Sequence, residues 1–222
     1  IPVYSYEYSE KKGSYRHKLE QIRKGEYEKL PIKIKESGWE PDFGLPQFNS
    51  KSGATVIGVR DFLIAYNINL DSRDLKTASE IASEIRESGN GKDKLQNIKA
   101  IGWYIEEFDC VQISTNITNF RETPIHVLWE RVEKLAKTKK IKLNGSELVG
   151  LIPLEAITET GKYFGIKNNI KLKNEKEIID TAIEKLGLNS KKRFNASDQI
   201  IEYKLSKNNI FWNIELIFKN TV

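Results

Sequence analysis

Apolar positions recur along this chain with two alternating periods, and each change of period marks a predicted element. IPVYSYEY alternates as an opening strand. Residues 18–35 have helical spacing but carry Gly25 and Pro31, which predicts two short helices. After a glycine-punctuated stretch, residues 62–70 (FLIAYNINL) form a β-branched and aromatic run, the mark of a buried strand. Residues 73–88 return to the helical period, with Leu75, Ala78, Ala82 and Ile85 on one face, Ser72 as cap and Gly89 as stop. Two strands follow at 98–106 (IKAIGWYIE) and 110–118 (CVQISTNIT), joined by a short acidic turn. In the second, Val111, Ile113, Thr115 and Ile117 alternate with Gln112, Ser114, Asn116 and Thr118, which predicts a half-buried strand.

Thr123-Pro124 is the cap and first-turn pair expected of a helix with Ile125, Leu128, Val132 and Leu135 on one face. Residues 146–152 (SELVGLI) return as a strand. Strand, helix, strand, strand, helix, strand is the ferredoxin-like βαββαβ order, so the expected class is α/β (α+β), with helices packed on a mixed or antiparallel sheet. Helices are expected at 154–163 and 175–186, the latter capped by Asn174 with Glu177 and ended by Gly187. A hairpin is expected from 199–205 (QIIEYKL) and 210–218 (IFWNIELIF) around Lys207-Asn208-Asn209.

Composition narrows the functional classes. Thirty-six basic residues against 31 acidic ones give a net charge of +5, but the two signs are interleaved, as on a solvated surface. No apolar run is long enough to span a membrane. The single cysteine, Cys110, excludes an internal disulfide framework and suits a reducing, cytoplasmic setting. It sits in a strand-like run, where a small buried residue is expected rather than a nucleophile. Ile1 begins a chain without methionine, and IPVYSYEY reads as a strand entered in mid-fold, so a segment is expected ahead of it.

Nucleotide-binding glycine fingerprints, a phosphate-loop lysine and zinc-type cysteine clusters are all missing from the sequence. Two histidines are present: His17 in a polar helical stretch and His126 in the first turn of its helix, near Trp129 and Glu130. Both are expected to be structural, and neither has the company that a metal site needs. Basic runs at 137–142 and 191–193, set in a ferredoxin-like order, also admit an RNA-binding reading. Against it, strand 110–118 holds no aromatic residue and 98–106 only the adjacent Trp103 and Tyr104.

One stretch stands apart from the Lys- and Glu-rich remainder: DFGLPQFNSKSGATVIG, residues 42–58, nearly uncharged and glycine-punctuated. Alone it is compatible with a structural Ω-type loop. Several runs taken in order, however, resemble one family, the tetrahydrofolate-dependent glutamate formiminotransferases. They are RKGEYEKLP (23–31), PDFG (41–44), GATVIGVRDFLIAYNINL (53–70), ESGNGK (87–92), VQISTNITNFRETPIH (111–126), NGSELVGLIPLEAI (144–157) and IIEY (200–203).

The resemblance implies two α/β subdomains with folate bound in a groove between them. Residues 1–60 would be the end of the first subdomain, 61–206 the whole second, and 207–222 an atypical tail. It implies transfer of a formimino group from N-formimino-L-glutamate to tetrahydrofolate, with no metal and with a homodimer as the expected assembly. The family's catalytic histidine lies in a GEHPRMG-like motif that this chain lacks, so the base is expected from an upstream segment or a separate chain. The family's folate-binding loop falls on Gly44, Leu45, Pro46, Gln47, Phe48, Asn49, Ser50, Lys51, Ser52 and Gly53. There Phe48 would pack on a ring face, Gln47, Asn49 and Ser50 would pair with the pterin edge, and Lys51 would meet a glutamyl carboxylate. Ala54 onward would lead into the second subdomain's first strand. A non-catalytic folate- or anion-binding module remains the alternative.

Overall fold

In the computed structural model, residues 1–7, 9, 18–92 and 94–207 are described. His17, the second strand of the expected hairpin and nearly all of the expected tail lie outside them. The chain divides into two compact units, Ile1–Asp61 and Phe62 onward.

The first unit is built on a parallel pair of strands, β1 (Val3–Glu7) and β2 (Thr55–Val59), in register from Val3 against Thr55 to Glu7 against Val59. Between them come two short helices, α1 (Leu19–Arg23) and α2 (Glu26–Lys33). The break falls at Gly25 as expected, but Pro31 stays inside α2 instead of ending it. The alternation of β1 buries Tyr4, whose hydroxyl donates to the Trp39 carbonyl at 3.0 Å while the two rings meet edge to face. On β2, Val56, Ile57 and Val59 are exposed. The run after Ala54 therefore pairs with β1 in the first unit, and does not open the sheet of the second.

The second unit centres on a four-stranded antiparallel sheet in the order β4-β5-β3-β6. Its strands are β3 (Ile64–Leu70), β4 (Ile98–Ile105), β5 (Cys110–Ile117) and β6 (Leu143–Val149), with α3 (Leu75–Ile85) and α4 (Ile125–Thr138) as the two crossovers. This is the ferredoxin-like arrangement. Alternation explains the core: Ile64, Tyr66, Ile68 and Leu70 on β3 join Val111, Ile113 and Ile117 on β5, all fully buried. Each such aliphatic side chain contributes on the order of 2 kcal/mol through removal of apolar area from water. Two further helices, α5 (Leu154–Lys167) and α6 (Glu175–Leu186), pack on each other and extend the same core.

Several local expectations are corrected. The cap of α3 is Asp74, whose Oδ1 accepts from the amides of Lys76 (3.0 Å) and Thr77 (3.3 Å), while Ser72 supports Asp74. Leu75 is consequently exposed and Ile81 takes its place in the buried stripe. Thr123 does not cap α4, because its hydroxyl donates to the Gln96 carbonyl at 2.7 Å and Pro124 holds the cap position. The strand expected at 199–205 is helical, forming α7 (Ala196–Gln199) and α8 (Ile201–Lys207). Asn195 starts α7, its side chain accepting from the Ser197 amide at 3.1 Å, while α8 is held from outside, by the Ile201 amide on the Ile152 carbonyl and by Glu202 on the Leu154 amide. Among the described residues, no helix is long and apolar enough to cross a membrane.

Candidate functional site

The loop from Gly44 to Gly53 is held at both ends by the first unit. Before it, Val3 and Phe43 form an antiparallel bridge, with the Val3 amide donating to the Phe43 carbonyl at 2.9 Å. After it, the Thr55 amide donates to the Pro2 carbonyl at 2.9 Å, and within it the Gly53 amide donates to the Asn49 carbonyl at 2.7 Å. Gly44 adopts φ +84°, and a side-chain carbon there would stand 2.6 Å from the Ile1 carbonyl oxygen, so only glycine fits. The middle of the loop is anchored to α2: the Tyr27 hydroxyl donates to the Ser50 carbonyl at 2.8 Å, and the Tyr27 and Phe48 rings lie 5.6 Å apart.

These anchors leave Leu45, Pro46, Gln47, Ser50, Lys51 and Ser52 exposed and Phe48 half-buried. Gln47, Phe48, Asn49, Ser50 and Lys51 come together around an open depression of about 460 Å³ completed by Ile1, Pro2 and Leu45. Gly44, Pro46, Ser52 and Gly53 do not line it. Asn49 departs from its expected role. Its Oδ1 accepts from the amides of Lys51 (2.9 Å) and Ser52 (3.2 Å), an Asx-type turn that occupies the acceptor and leaves only Nδ2 to face outward.

Among the described residues, His126, Glu130 and Cys110 all lie in the second unit. His126 is buried on α4 and stacks on Tyr163 of α5, with ring centres 4.0 Å apart. Burial lowers its pKa, against a smaller opposing pull from Glu130. Burial also works against ionisation of Glu130, but hydrogen bonds from Lys167 and from the Tyr163 hydroxyl outweigh it and hold that carboxylate below its usual range. The Cys110 thiol is buried and its pKa pushed up by burial, which makes it a poor nucleophile. Among the described residues, no cluster of three or more His, Cys, Asp or Glu is placed to hold a metal.

The sequence pattern missed a polar row across the sheet face opposite the core. Trp103 Nε1 donates to Gln112 Oε1 at 3.1 Å, and Gln112 Nε2 donates to Asn69 Oδ1 at 2.6 Å. Lys192 closes the row, pairing with Glu147 at 3.3 Å and Glu107 at 3.5 Å and lying over the Phe108 ring. Gln112 and Asn69 are fully buried, which corrects the expectation of a half-buried β5. The signal was present as Asn-x-Asn in β3 and Gln-x-Ser-x-Asn in β5, but alternation alone cannot tell a wet face from a covered polar one.

Three of the seven cations in the basic runs are held in ion pairs. Lys137 pairs with Glu133, Lys139 with Glu80, and Lys192 with two carboxylates. On the central strands β3 and β5, the one aromatic residue, Tyr66, is buried in the core.

Comparison with known proteins agrees in both halves of the chain. The formiminotransferase domain profile matches residues 65–206, and that of its N-terminal subdomain matches residues 1–60. The formimidoyltransferase-cyclodeaminase of Dictyostelium discoideum is 41% identical over 210 residues, covering 93% of this chain and 39% of the relative. The Gallus gallus protein of the same name is 42% identical over 207 residues, covering 91% and 38%. The glutamate formimidoyltransferase of Thermoplasma acidophilum is 38% identical over 187 residues, covering 83% and 59%. The chain thus spans about two fifths of the first two relatives and about three fifths of the third.

Proposed function

Because the chain belongs to the formiminotransferase family, we propose that it serves the transfer of a formimino group from N-formimino-L-glutamate to N5 of tetrahydrofolate, a step of histidine degradation that feeds one-carbon metabolism. In this reading the chain supplies the folate-holding loop, Gly44–Gly53, and the scaffold behind it. The observation that carries it is the anchored loop with its outward Gln47, Ser50 and Lys51. Such a fixed edge gives a flat heterocycle paired donors and acceptors at low ordering cost.

The chemistry defines what else is needed. The N5 amine attacks the amidine carbon to give a tetrahedral adduct. A base takes the N5 proton, an acid delivers a proton to the departing glutamate nitrogen, and the carbon–nitrogen bond to glutamate breaks. His126 cannot be that base, since it is buried against Tyr163. The family's GEHPRMG-like histidine motif is missing from the sequence, and in this reading the base is supplied by an upstream segment or a separate chain. Lys51, exposed at the loop, suits the anionic glutamyl tail of the acceptor.

The test is calorimetry of the purified chain with a reduced folate, beside a formimino-glutamate turnover assay. Saturable folate binding without turnover is expected. Turnover by the chain alone would overturn the assignment of the base, and absence of folate binding would overturn the assignment of the loop.

A further inference from the structure

Within the second unit, an open depression of about 850 Å³ lies beside α6, against the turn that leads into α7. Ile183, Phe194 and Ala196 give it an apolar floor, and the exposed Asp180, Glu184 and Arg193 complete its lining. The floor is held in place by its own hydrogen bonds. Asn189 Oδ1 accepts from the Phe194 amide at 2.8 Å, and the Ser190 hydroxyl donates to the Asn144 carbonyl at 3.2 Å. Among the described residues, no buried polar atom of the lining lacks a partner. Asp180 is held by Lys176 at 2.8 Å and Glu184 lies 3.4 Å from Lys185. Arg193, by contrast, has no carboxylate within ion-pair reach among the described residues. Such a surface suits an apolar occupant that brings one negative charge.

The described chain ends at the same place. Lys207, its last residue, pairs with Asp198 at 2.9 Å, and the other Asp198 oxygen accepts from Asn195 Nδ2 at 2.6 Å. Asn195 is itself part of the lining. Fifteen residues follow Lys207, and seven of the nine from Ile210 to Phe218 are apolar. Apolar area of that density is stabilised by cover. Glu215 is the one acidic residue among the fifteen.

We infer that residues 210–218 pack into this depression of their own chain, with Trp212 against Ile183 and Phe194 and with Glu215 paired to Arg193. Reach permits it: at about 3.4 Å per residue, the five steps from Lys207 to Trp212 span up to about 17 Å. The sequence pattern permits it too, since Ile210, Trp212, Ile214 and Leu216 share one side of an extended chain. A strap in this position clamps the turn between α6 and α7. That turn carries Lys192, which pairs with Glu147 on β6 at 3.3 Å, so the strap also steadies one end of the polar row on the sheet.

The experiment is nuclear magnetic resonance with amide exchange on the full chain. Overhauser contacts from the Trp212 indole to the Ile183 methyls are expected, unchanged on dilution. Ending the chain at Lys207 is expected to speed exchange of the Ser190 and Phe194 amides about tenfold or more, as loss of buried apolar cover implies, and to leave the first unit unchanged. Arg193→Glu and Glu215→Arg in the full chain are each expected to speed that exchange roughly threefold, the scale of an exposed ion pair, and together to restore the wild-type rate. Missing Trp212 contacts, or unchanged exchange in the shortened chain, would overturn the proposal. Contacts seen only between differently labelled chains in a mixture would overturn it in favour of a second copy as occupant. Failure of the double variant to recover would overturn the pairing of Arg193 with Glu215.

Discussion

The hydroxyl of Tyr27 on α2 donates to the backbone carbonyl of Ser50 at 2.8 Å, tying the middle of the Gly44–Gly53 loop to a helix 23 positions earlier. Tyr27→Phe removes that bond and keeps the ring against Phe48. A single neutral hydrogen bond is worth about 1 kcal/mol, so reduced-folate affinity is expected to fall roughly fivefold. Calorimetry on the variant checks this, with the thermal midpoint of unfolding expected to move little because the site is exposed.

His126 makes stability pH-dependent. The fold favours its neutral form, so the unfolded chain takes up the proton first as pH falls. That contribution is whole above the unfolded value of 6.5 and is lost as pH drops from there toward the depressed folded value. Glu130 on the same helix pulls the other way; Tyr163 stacks on the ring and Lys167 pairs with Glu130. Wild type is expected to lose more stability than His126→Phe between neutral and mildly acidic pH. Urea midpoints measured for both proteins across that range decide it; parallel curves would exclude the histidine as the cause.

The buried row on the second sheet is coupled. Gln112→Ala leaves the Asn69 carbonyl without its donor and Trp103 without its acceptor, at an expected cost of about 1–3 kcal/mol. Asn69→Ala in the Gln112→Ala background is expected to cost less than in wild type, since the shared bond is already gone. A double-mutant cycle by chemical denaturation measures the difference; strict additivity would show that the bond contributes nothing.

Helices α5 and α6 approach so closely that a side-chain carbon on Gly161 would stand 2.0 Å from the Ile178 carbonyl oxygen. Gly161→Ala is therefore expected to force the helices apart and destabilise the second unit by roughly 2 kcal/mol or more. Denaturant unfolding followed by far-ultraviolet dichroism provides the check.

What the sequence disclosed depended on how local the deciding interaction was. The burial of β3 was legible because its apolar run is continuous, and α6 because Asn174 and Gly187 punctuate it within the chain itself. The helical state of residues 201–207 was not, since the β-branched pair at its start points the other way and the contacts that settle it come from Ile152 and Leu154. Gln112 was misjudged for the same reason: its partners Asn69 and Glu147 come from other strands, far along the chain. Within the candidate loop the residue types were legible, but the Asx turn that consumes the Asn49 acceptor was overlooked, although Asn-Ser-Lys-Ser-Gly is turn chemistry at short range.

Helix α8 also fixes how far the second unit can be shortened. The first turn of α5 has no side-chain cap of its own, and the Leu154 amide is instead met by Glu202 at 2.8 Å. Ile200 is fully buried beside Ile152, and the Tyr203 hydroxyl reaches Glu175 at 2.6 Å, at the start of α6. A fragment ending at Leu186 would keep every strand of the sheet and both of its long outer helices, yet it would strip the leading ends of those helices of their partners. The smallest excised version of this unit that retains its own seams must continue through Tyr203.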